Sequence, residues 1–580
     1  MGKTRALIWP TLAVLALGPL VTSAMAQQAD LILHNGKIIT ADREFSIAHA
    51  LAVSGGRLLN VGTDEEAMAT KGPDTRVIDL RGKTVLPGLI DSHTHPTGAS
   101  LIEFDHPIPD LQTIDDVLDY IRRRAEAVGE GRWVVVRQVF ITRLKERRYP
   151  TRAELDRVAP RNPVLFATGP DASVNSLALR LSGIDRDFKP EGPGKVERDA
   201  QTGEPTGILR NLTRYIKADP PERSPTTRER DQRLIGLFRD YNSVGITSII
   251  DRNADPSAIE QYRRLLDSGA LTVRIGISRG VESSGPLDAI ERQIREVADH
   301  PLRRGGPMLR IIGIKMFLDG GMLTGSAYMR EPWGVSAIYS IDDPAYRGVL
   351  FIPPDRLEAM VRATVEAGLQ FTAHSVGDGA VHALLDAYES VNRGTPIGPT
   401  RPCITHSNFM SREAIDQAAR LGVVLDIQPA WLYLDGSTLT AQFGDDRLRY
   451  FQPLRSIFRA GVTAGGGSDH MQKIGSLRSI NPYNPFLGMW IAVTRRPRDF
   501  DRPLHPEEVL TREQAIRFYT LNNARLLFLE DQVGSLETGK RADFVVLDRD
   551  ILTCPEDEIR EIQATATYVD GKRVHGHLED

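Results

Sequence analysis

Cysteine is scarce in this chain: Cys403 and Cys554 are the only two in 580 residues. Two thiols cannot build a disulfide framework or a thiolate metal cluster, which excludes the small stapled and zinc-finger classes. Charge of one sign is not in excess either. Lys and Arg number 72 against 76 Asp and Glu, a formal charge of −4, so there is no basic field for nucleic acid. Beyond the first 26 residues no apolar run is long enough to span a bilayer. Low-complexity tracts are absent, and 41% hydrophobic with 26% charged residues is ordinary globular composition. The length allows three or four domains at about 150 residues each, or fewer where one is a barrel.

The N-terminus stands apart. Lys3 and Arg5 precede a mostly apolar stretch, Ala6 to Val21, broken by Pro10, Gly18 and Pro19. Ala24-Met25-Ala26 then offers an A-x-A cleavage site before Gln27. This is the order of a secretory leader, and its apolar part is shorter than the roughly 20 residues of a spanning helix. The expectation is an exported protein, periplasmic or secreted, with residues 1–26 removed and no membrane association afterwards. Removal takes away two cations and no acid, moving the charge from −4 to −6. Few cysteines do not argue against export, because a large core needs no staples.

Residues 27–84 read as short strands. Leu31 to His34 and Lys37 to Ile39 flank Asn35-Gly36, a hairpin signal, and Ala50 to Val53 and Leu58 to Val61 flank Gly55-Gly56. Residues 530–580 show the same pattern. There Ala542 to Leu547 is one strand, and Thr567 to Val569 and Arg573 to His575 flank Asp570-Gly571. Chain ends often meet in compact folds, so both segments are expected to form one small β-sandwich.

Residues 85–529 alternate strand and helix. Eight short apolar segments end in polar residues: Val85 to His95, Gly245 to Asp251, Val273 to Ser278, Ile311 to Leu318, Phe371 to Ser375, Cys403 to Ser407, Val423 to Gln428 and Val462 to Asp469. Helical stretches such as Gln232 to Tyr241, Pro354 to Ala367 and Arg412 to Leu421 fill the gaps. Eight alternating units suit an α/β (β/α)8 TIM barrel, whose active site lies at the C-terminal strand ends. Val134 to Val136 and Val164 to Ala167 are left out of that count. Both fall in a long insertion, about 97–229, that is expected to form a lid or substrate wall.

Chemistry concentrates at the strand ends. His93-Thr94-His95 closes the first strand, where residues two apart share a face, so both imidazoles can enter the mouth. His374 lies near the end of the fifth strand, His406 the sixth and Asp469 the eighth. Four of 13 histidines at three strand ends point to a metal site, because neutral imidazole is a common ligand and zinc accepts it readily. Lys315, on the fourth strand, leaves two readings open. Desolvated near cations, its amine could lose a proton and take up CO2 as a carbamate that bridges two metals; otherwise it is an ammonium paired to Asp319. Asp469, in Gly465-Gly466-Gly467-Ser468-Asp469, can bind metal and shuttle the proton of a bound water. His470 points the other way along the strand and is read as either supporting the site from behind or structural.

In order, these motifs resemble the metal-dependent amidohydrolase superfamily, and within it the amidohydrolase-3 or YtcJ-like group that includes N-substituted formamide deformylases. The resemblance is carried by Pro87-Gly88-Leu89-Ile90-Asp91-Ser92-His93-Thr94-His95, Ile314-Lys315-Met316-Phe317-Leu318-Asp319-Gly320, His374-Ser375-Val376-Gly377-Asp378, Thr405-His406-Ser407, Gly467-Ser468-Asp469 and the return through Gly539-Lys540-Arg541-Ala542-Asp543. It covers nearly all of the mature chain. It implies one or two divalent metals, zinc first among them, held by His93, His95, His374, His406, Asp469 and a carboxylated Lys315. It further implies hydrolysis of a carbon–nitrogen, amide-like bond in a small molecule, by attack of metal-bound hydroxide with Asp469 as proton shuttle. Metal-dependent cleavage of an ester, carbamate, lactone or phosphoester uses the same hydroxide and stays open, as does a non-catalytic metal or solute binder, against which Asp469 counts. Trp431 and Tyr433, beyond the seventh strand, are candidates for an aromatic substrate wall. Two departures fall in the insertion: Thr168-Gly169-Pro170 stands where the family has Asp-Gly-His, and Asn211 replaces a glutamate. They put any transferred substrate in doubt. A homo-oligomer is compatible with the sequence, which does not specify one.

Overall fold

Both chain ends enter one six-stranded sheet, ordered Lys572–Gly576, Ala564–Val569, Phe544–Leu547, Thr84–Pro87, Lys37–Ile39, Ile47–Ala48. The computed structural model describes residues 1–2, 27–137, 139–219, 223–475 and 480–579, so the expected leader lies almost wholly outside the described residues. A four-stranded sheet, ordered Arg57–Gly62, Ala50–Ser54, Ala29–His34, Lys71–Asp79, completes the sandwich. Leu31, Leu33, Leu51 and Val53 from this sheet share a core with Ile38, Val85, Phe544, Val546 and Tyr568 from the other. The period of two explains the unbroken run Phe544-Val545-Val546-Leu547. Phe544 and Val546 fill the sandwich core, while Val545 and Leu547 join the barrel core.

Asn35-Gly36 is not a hairpin. Ala29–His34 pairs with Ala50–Ser54 and Lys71–Asp79, whereas Lys37–Ile39 pairs in the other sheet. The turn is real, with Asn35 at φ 55°, but it carries the chain across the sandwich. A turn signal fixes a reversal; it does not fix which strands then pair. Gly55-Gly56 and Asp570-Gly571 do join antiparallel neighbours.

The barrel strands are β1 (Leu89–Thr94), β2 (Ile246–Ala254), β3 (Arg274–Gly280), β4 (Leu309–Phe317), β5 (Gln370–Ser375), β6 (Cys403–His406), β7 (Val424–Ile427) and β8 (Ala464–Gly466). They form one sheet in chain order, every neighbour parallel. The ring is drawn closed between β8 and β1. Asp469 N–H donates to His93 C=O at 2.8 Å, His95 N–H to His470 C=O at 2.8 Å, and the Asn523 amide donates to the carbonyls of both Ile90 and Gly466.

The first strand, expected from Val85, divides in two. Thr84–Pro87 pairs with Phe544–Leu547 in the sandwich, and the chain joins the barrel only from Leu89. Gly88 makes the step: a Cβ there would lie 2.2 Å from Thr247 Oγ1.

The insertion after β1 carries a five-stranded sheet, ordered Lys195–Arg198, Pro205–Arg210, Asp171–Val174, Val164–Thr168, Val134–Arg137, with its own core of Leu165, Val174, Val196 and Leu209 among others. The two strands left out of the barrel count pair here with each other. A second excursion, 318–353, follows β4 and has no regular strand or helix of its own, so no periodicity announces it. Arg210, fully buried, ties the two together by donating to Glu197 Oε1 at 2.5 Å, Thr324 O at 2.7 Å and Tyr339 O at 2.6 Å. Ser326 Oγ also donates to Asp171 Oδ2 at 2.5 Å. The insertion and the excursion are thus tied together beside the barrel mouth.

Sandwich and barrel are pinned by a buried charge cluster. Arg274, at the start of β3, makes a two-pronged contact with Asp543 at 2.6 and 2.8 Å and reaches Asp570 Oδ1 at 2.6 Å. Removing one member of a buried ion pair leaves the other without a partner, typically at a cost of about 3–5 kcal/mol. Arg274→Met is therefore expected to lower the urea midpoint of unfolding sharply. Arg292→Met, in an exposed helix pair, should leave that midpoint unchanged.

Candidate active site

A cavity of about 940 Å³ opens over the C-terminal ends of the barrel strands. His93, His95, Lys315, His374, His406, Trp431 and Asp469 all line it. The structure brings these seven of the eight residues singled out in the sequence to one place.

His93 lies on β1 and His95 one residue past its end, and the strand's alternation carries both inward. Their Nε2 atoms lie 3.2 Å apart, and Asp469 Oδ1 lies 3.4 Å from the first and 3.2 Å from the second. The His93 and His406 rings stack at 4.9 Å, and His374 meets His406 edge-on at 4.4 Å. Burial holds His93 and His406 well below the usual imidazole range and His374 down at about 3, so all three are neutral near pH 7. Neutral imidazole is the form that binds a metal.

The far ring nitrogens are spoken for. His93 Nδ1 donates to Asp426 Oδ2 at 2.8 Å and His406 Nδ1 to Gln428 Oε1 at 2.7 Å, which leaves Nε2 of each ring with its lone pair. His374 Nε2 lies 3.3 Å from Gly320 O, which leaves Nδ1. Asp426 lies on β7 and Gln428 one residue past its end, and Gln428 also donates to Asp426 at 2.9 Å. Ser92 Oγ donates to Asp426 at 2.7 Å, and Arg252 lies 3.4 Å from it beneath the histidines.

Lys315 is 1% exposed and its ammonium has no hydrogen-bond partner among the described residues. It is not paired to Asp319, whose carboxylate accepts from the backbone N–H groups of Tyr328, Val376 and Gly377 at 2.9 Å each. Burial pulls the Lys315 amine down to about 8. Burial likewise raises Asp469 above the usual carboxylate range. The backbone at Asp469 is left-handed, φ 54°, as it is at His406, φ 76°. Both are costly conformations for residues with a Cβ, of the kind found at functional sites. Gly467 permits the turn: a Cβ there would lie 2.8 Å from His93 N.

Four further contributors escape a reading of the sequence. Asp91 Oδ1 accepts from His93 N–H at 2.9 Å and Ser468 N–H at 3.0 Å, joining β1 to β8. Burial pushes it up to about 7. A signal for it exists, since Asp91, His93 and His95 alternate on one face. Asp426 and Gln428 likewise alternate at the end of an apolar strand. Arg252 gives no signal, because its partners Ser92, Ser278, Thr372 and Asp426 come from four strands. His470 is structural, as its position predicts, turned away to Tyr241 Oη at 2.7 Å.

Trp431 stacks on the His406 ring at 4.7 Å and 18°. Tyr433 does not line this cavity but packs edge-on against Trp490 and faces a neighbouring one. Both are on the helix Ala430–Arg447, where two residues span about 200° and point to opposite sides. Thr168, Gly169, Pro170 and Asn211, the departures in the insertion, form part of the wall, with Met322, Leu323 and Thr324 from the second excursion.

The donor set fits a divalent cation. Three imidazoles have their outer nitrogens fixed, and His95 and the Asp469 carboxylate converge with His93 within 4.8 Å of one another. Beside them stands a buried amine without a hydrogen-bond partner among the described residues.

The model of a family described as "Amidohydrolase family" matches residues 76–575. The N-substituted formamide deformylase of Arthrobacter pascens is 32% identical over 567 residues, covering 94% of this chain and 98% of its own. The putative amidohydrolase YtcJ of Bacillus subtilis is 26% identical over 556 residues, covering 94% and 99%. A metal-dependent hydrolase of Pyrococcus horikoshii, itself uncharacterised, superposes with a TM-score of 0.65 at 22% identity, over 91% of this chain and 99% of its own, a likeness of fold. The chain belongs to the amidohydrolase family.

Proposed function

We propose that the protein hydrolyses an amide-type carbon–nitrogen bond in a small molecule, using one or two divalent cations held by His93, His95, His374, His406 and Asp469. The observation that carries this reading is the convergence of Asp469 with His93 and His95, while Asp426 and Gln428 fix the histidine tautomers from behind. Imidazole and carboxylate donors suit zinc. Lys315 completes the set as a carbamate. Its neutral amine forms a bond to the carbon of CO2 and releases one proton to water, leaving an anionic oxygen ligand. Its burial and missing partner support this. The relationship to a formamide deformylase favours an amide over the other hydrolysable bonds.

Bound there, a divalent cation supplies Lewis acidity, lowering the pKa of a water towards about 7 and polarising a carbonyl. Asp469 Oδ1 takes the proton of the attacking water and delivers it to the leaving nitrogen as the carbon–nitrogen bond breaks. The net reaction adds OH to the carbonyl carbon and H to nitrogen. Burial, which raises the Asp469 pKa, favours the protonated form it passes through. Trp431, Phe140 and Met322 pack against substituents and keep bulk water from the reacting atoms.

Three outcomes test this. On a panel of N-substituted formamides and acyl amides, Asp469→Asn should lower kcat by about 10²–10⁴-fold, the usual worth of a positioned acid–base group; full turnover by the variant would remove the proton-shuttle role. Elemental analysis of gently purified protein should find close to two metals per chain if Lys315 is a carbamate bridge. A value close to one keeps the hydrolase without the bridge, and no metal, with none taken up from zinc, would overturn the reading. Gln428→Leu should weaken metal binding by about 10–100-fold in competition with a chelator, the usual effect of losing an outer hydrogen bond to a ligand.

A further inference from the structure

Beside the reacting cavity lies a second of nearly the same size, about 910 Å³. Both are lined by Ile102, Arg137 and Phe140, so these three side chains form a shared wall. The helix Ala430–Arg447 serves both chambers, presenting Trp431 to the first and Tyr433 to the second. The second chamber's apolar surface comes partly from Tyr433, Leu434 and Leu487.

Its charges are unequal. Arg137, Arg143, Lys473, Arg498 and Arg560 line it, against Asp110 and Glu561. Arg143 is neutralised by a two-pronged contact with Asp435 at 3.0 and 3.2 Å. Arg560 lies over the Trp490 ring at 4.6 Å. Arg137 makes no ion pair with any carboxylate among the described residues, and it stands in the wall that both chambers share. A guanidinium of this kind recognises a carboxylate by paired, charge-assisted hydrogen bonds.

We propose that the second chamber is a distal subsite for a carboxylate, and that the preferred substrates are amides whose nitrogen substituent is an apolar chain ending in that group. The reacting amide occupies the first chamber, the chain passes Ile102 and Phe140, and the carboxylate meets Arg137 and the cationic lining beyond. This rests on the reading of the first chamber as the hydrolytic one.

Two pairs of formamides of matched length test it. N-formyl-6-aminohexanoate and N-hexylformamide differ only at the chain end, as do the short pair N-formylglycine and N-ethylformamide. The zinc-loaded enzyme should prefer the long carboxylate over its neutral partner by about 10-fold or more in kcat/KM, and show no such preference within the short pair. Arg137→Met, and separately Arg560→Met, which lines only the second chamber, should shrink the long-pair ratio towards one. Equal rates for the long pair, a preference already present at the length of glycine, or a ratio unchanged in both variants would each overturn the subsite. Hydrolysis of the neutral formamides alone would leave the amidohydrolase reading standing. If no amide is cleaved, that reading falls, and calorimetry of the long pair on Asp469→Asn protein still decides the subsite. There the carboxylate should bind at least about 10-fold more tightly than N-hexylformamide, and equal affinity overturns the proposal.

Discussion

The hydrogen bond from the Asp469 amide to the His93 carbonyl does two things in one geometry. It holds the last strand of the barrel to the first, and it sets the Asp469 carboxylate against the imidazoles of His93 and His95. Asp91 reinforces the seam from below by accepting from the amides of His93 and Ser468. Closing the fold and assembling the site are therefore a single event: a ring that failed to close would have its four histidines without their carboxylate. The strained backbone at Asp469 is tolerated because three glycines precede it and a complete hydrogen-bonded seam holds it.

Around that seam, strands divide the work. β1, β5 and β6 contribute imidazoles, β4 a buried amine, and β8 leads into the carboxylate. β7 contributes nothing to the reacting space itself, yet Asp426 and Gln428 fix the orientation of two of the rings. The insertion and the excursion after β4 add walls, and Arg210 locks those walls to each other. Much of the cavity wall thus comes from segments outside the barrel strands.

The barrel and its chemical residues are legible in the sequence because both obey short-range rules. Eight apolar segments ending in polar residues announce a parallel barrel, and His93 and His95 share a face at a spacing of two. What is not legible depends on pairing between distant segments. Asn35-Gly36 signals a reversal but not that the strands on either side go to different sheets. Val85 to Pro87 reads as continuous with β1 until Phe544–Leu547 is seen beside it. Tyr433 stands next to Trp431 by proximity in sequence, and a helix rather than a strand at that point sends it to the other side. The excursion at 318–353 has no period to detect, and Arg252 draws its partners from four strands at once.

The strand Phe544–Leu547 has a last consequence, which concerns time rather than space. It lies between Thr84–Pro87 and Ala564–Val569 and is buried on both faces, against the sandwich on one side and the barrel on the other. A chain made from its N-terminus exposes the edge of Thr84–Pro87 and the underside of the barrel until these residues emerge. β8, which completes the ring, is also among the last elements made. One edge of Thr84–Pro87 therefore waits for a partner more than 400 positions downstream, and such long-range pairing is slow and exposes surfaces that aggregate. For most of its synthesis the growing polypeptide is held open by its own topology.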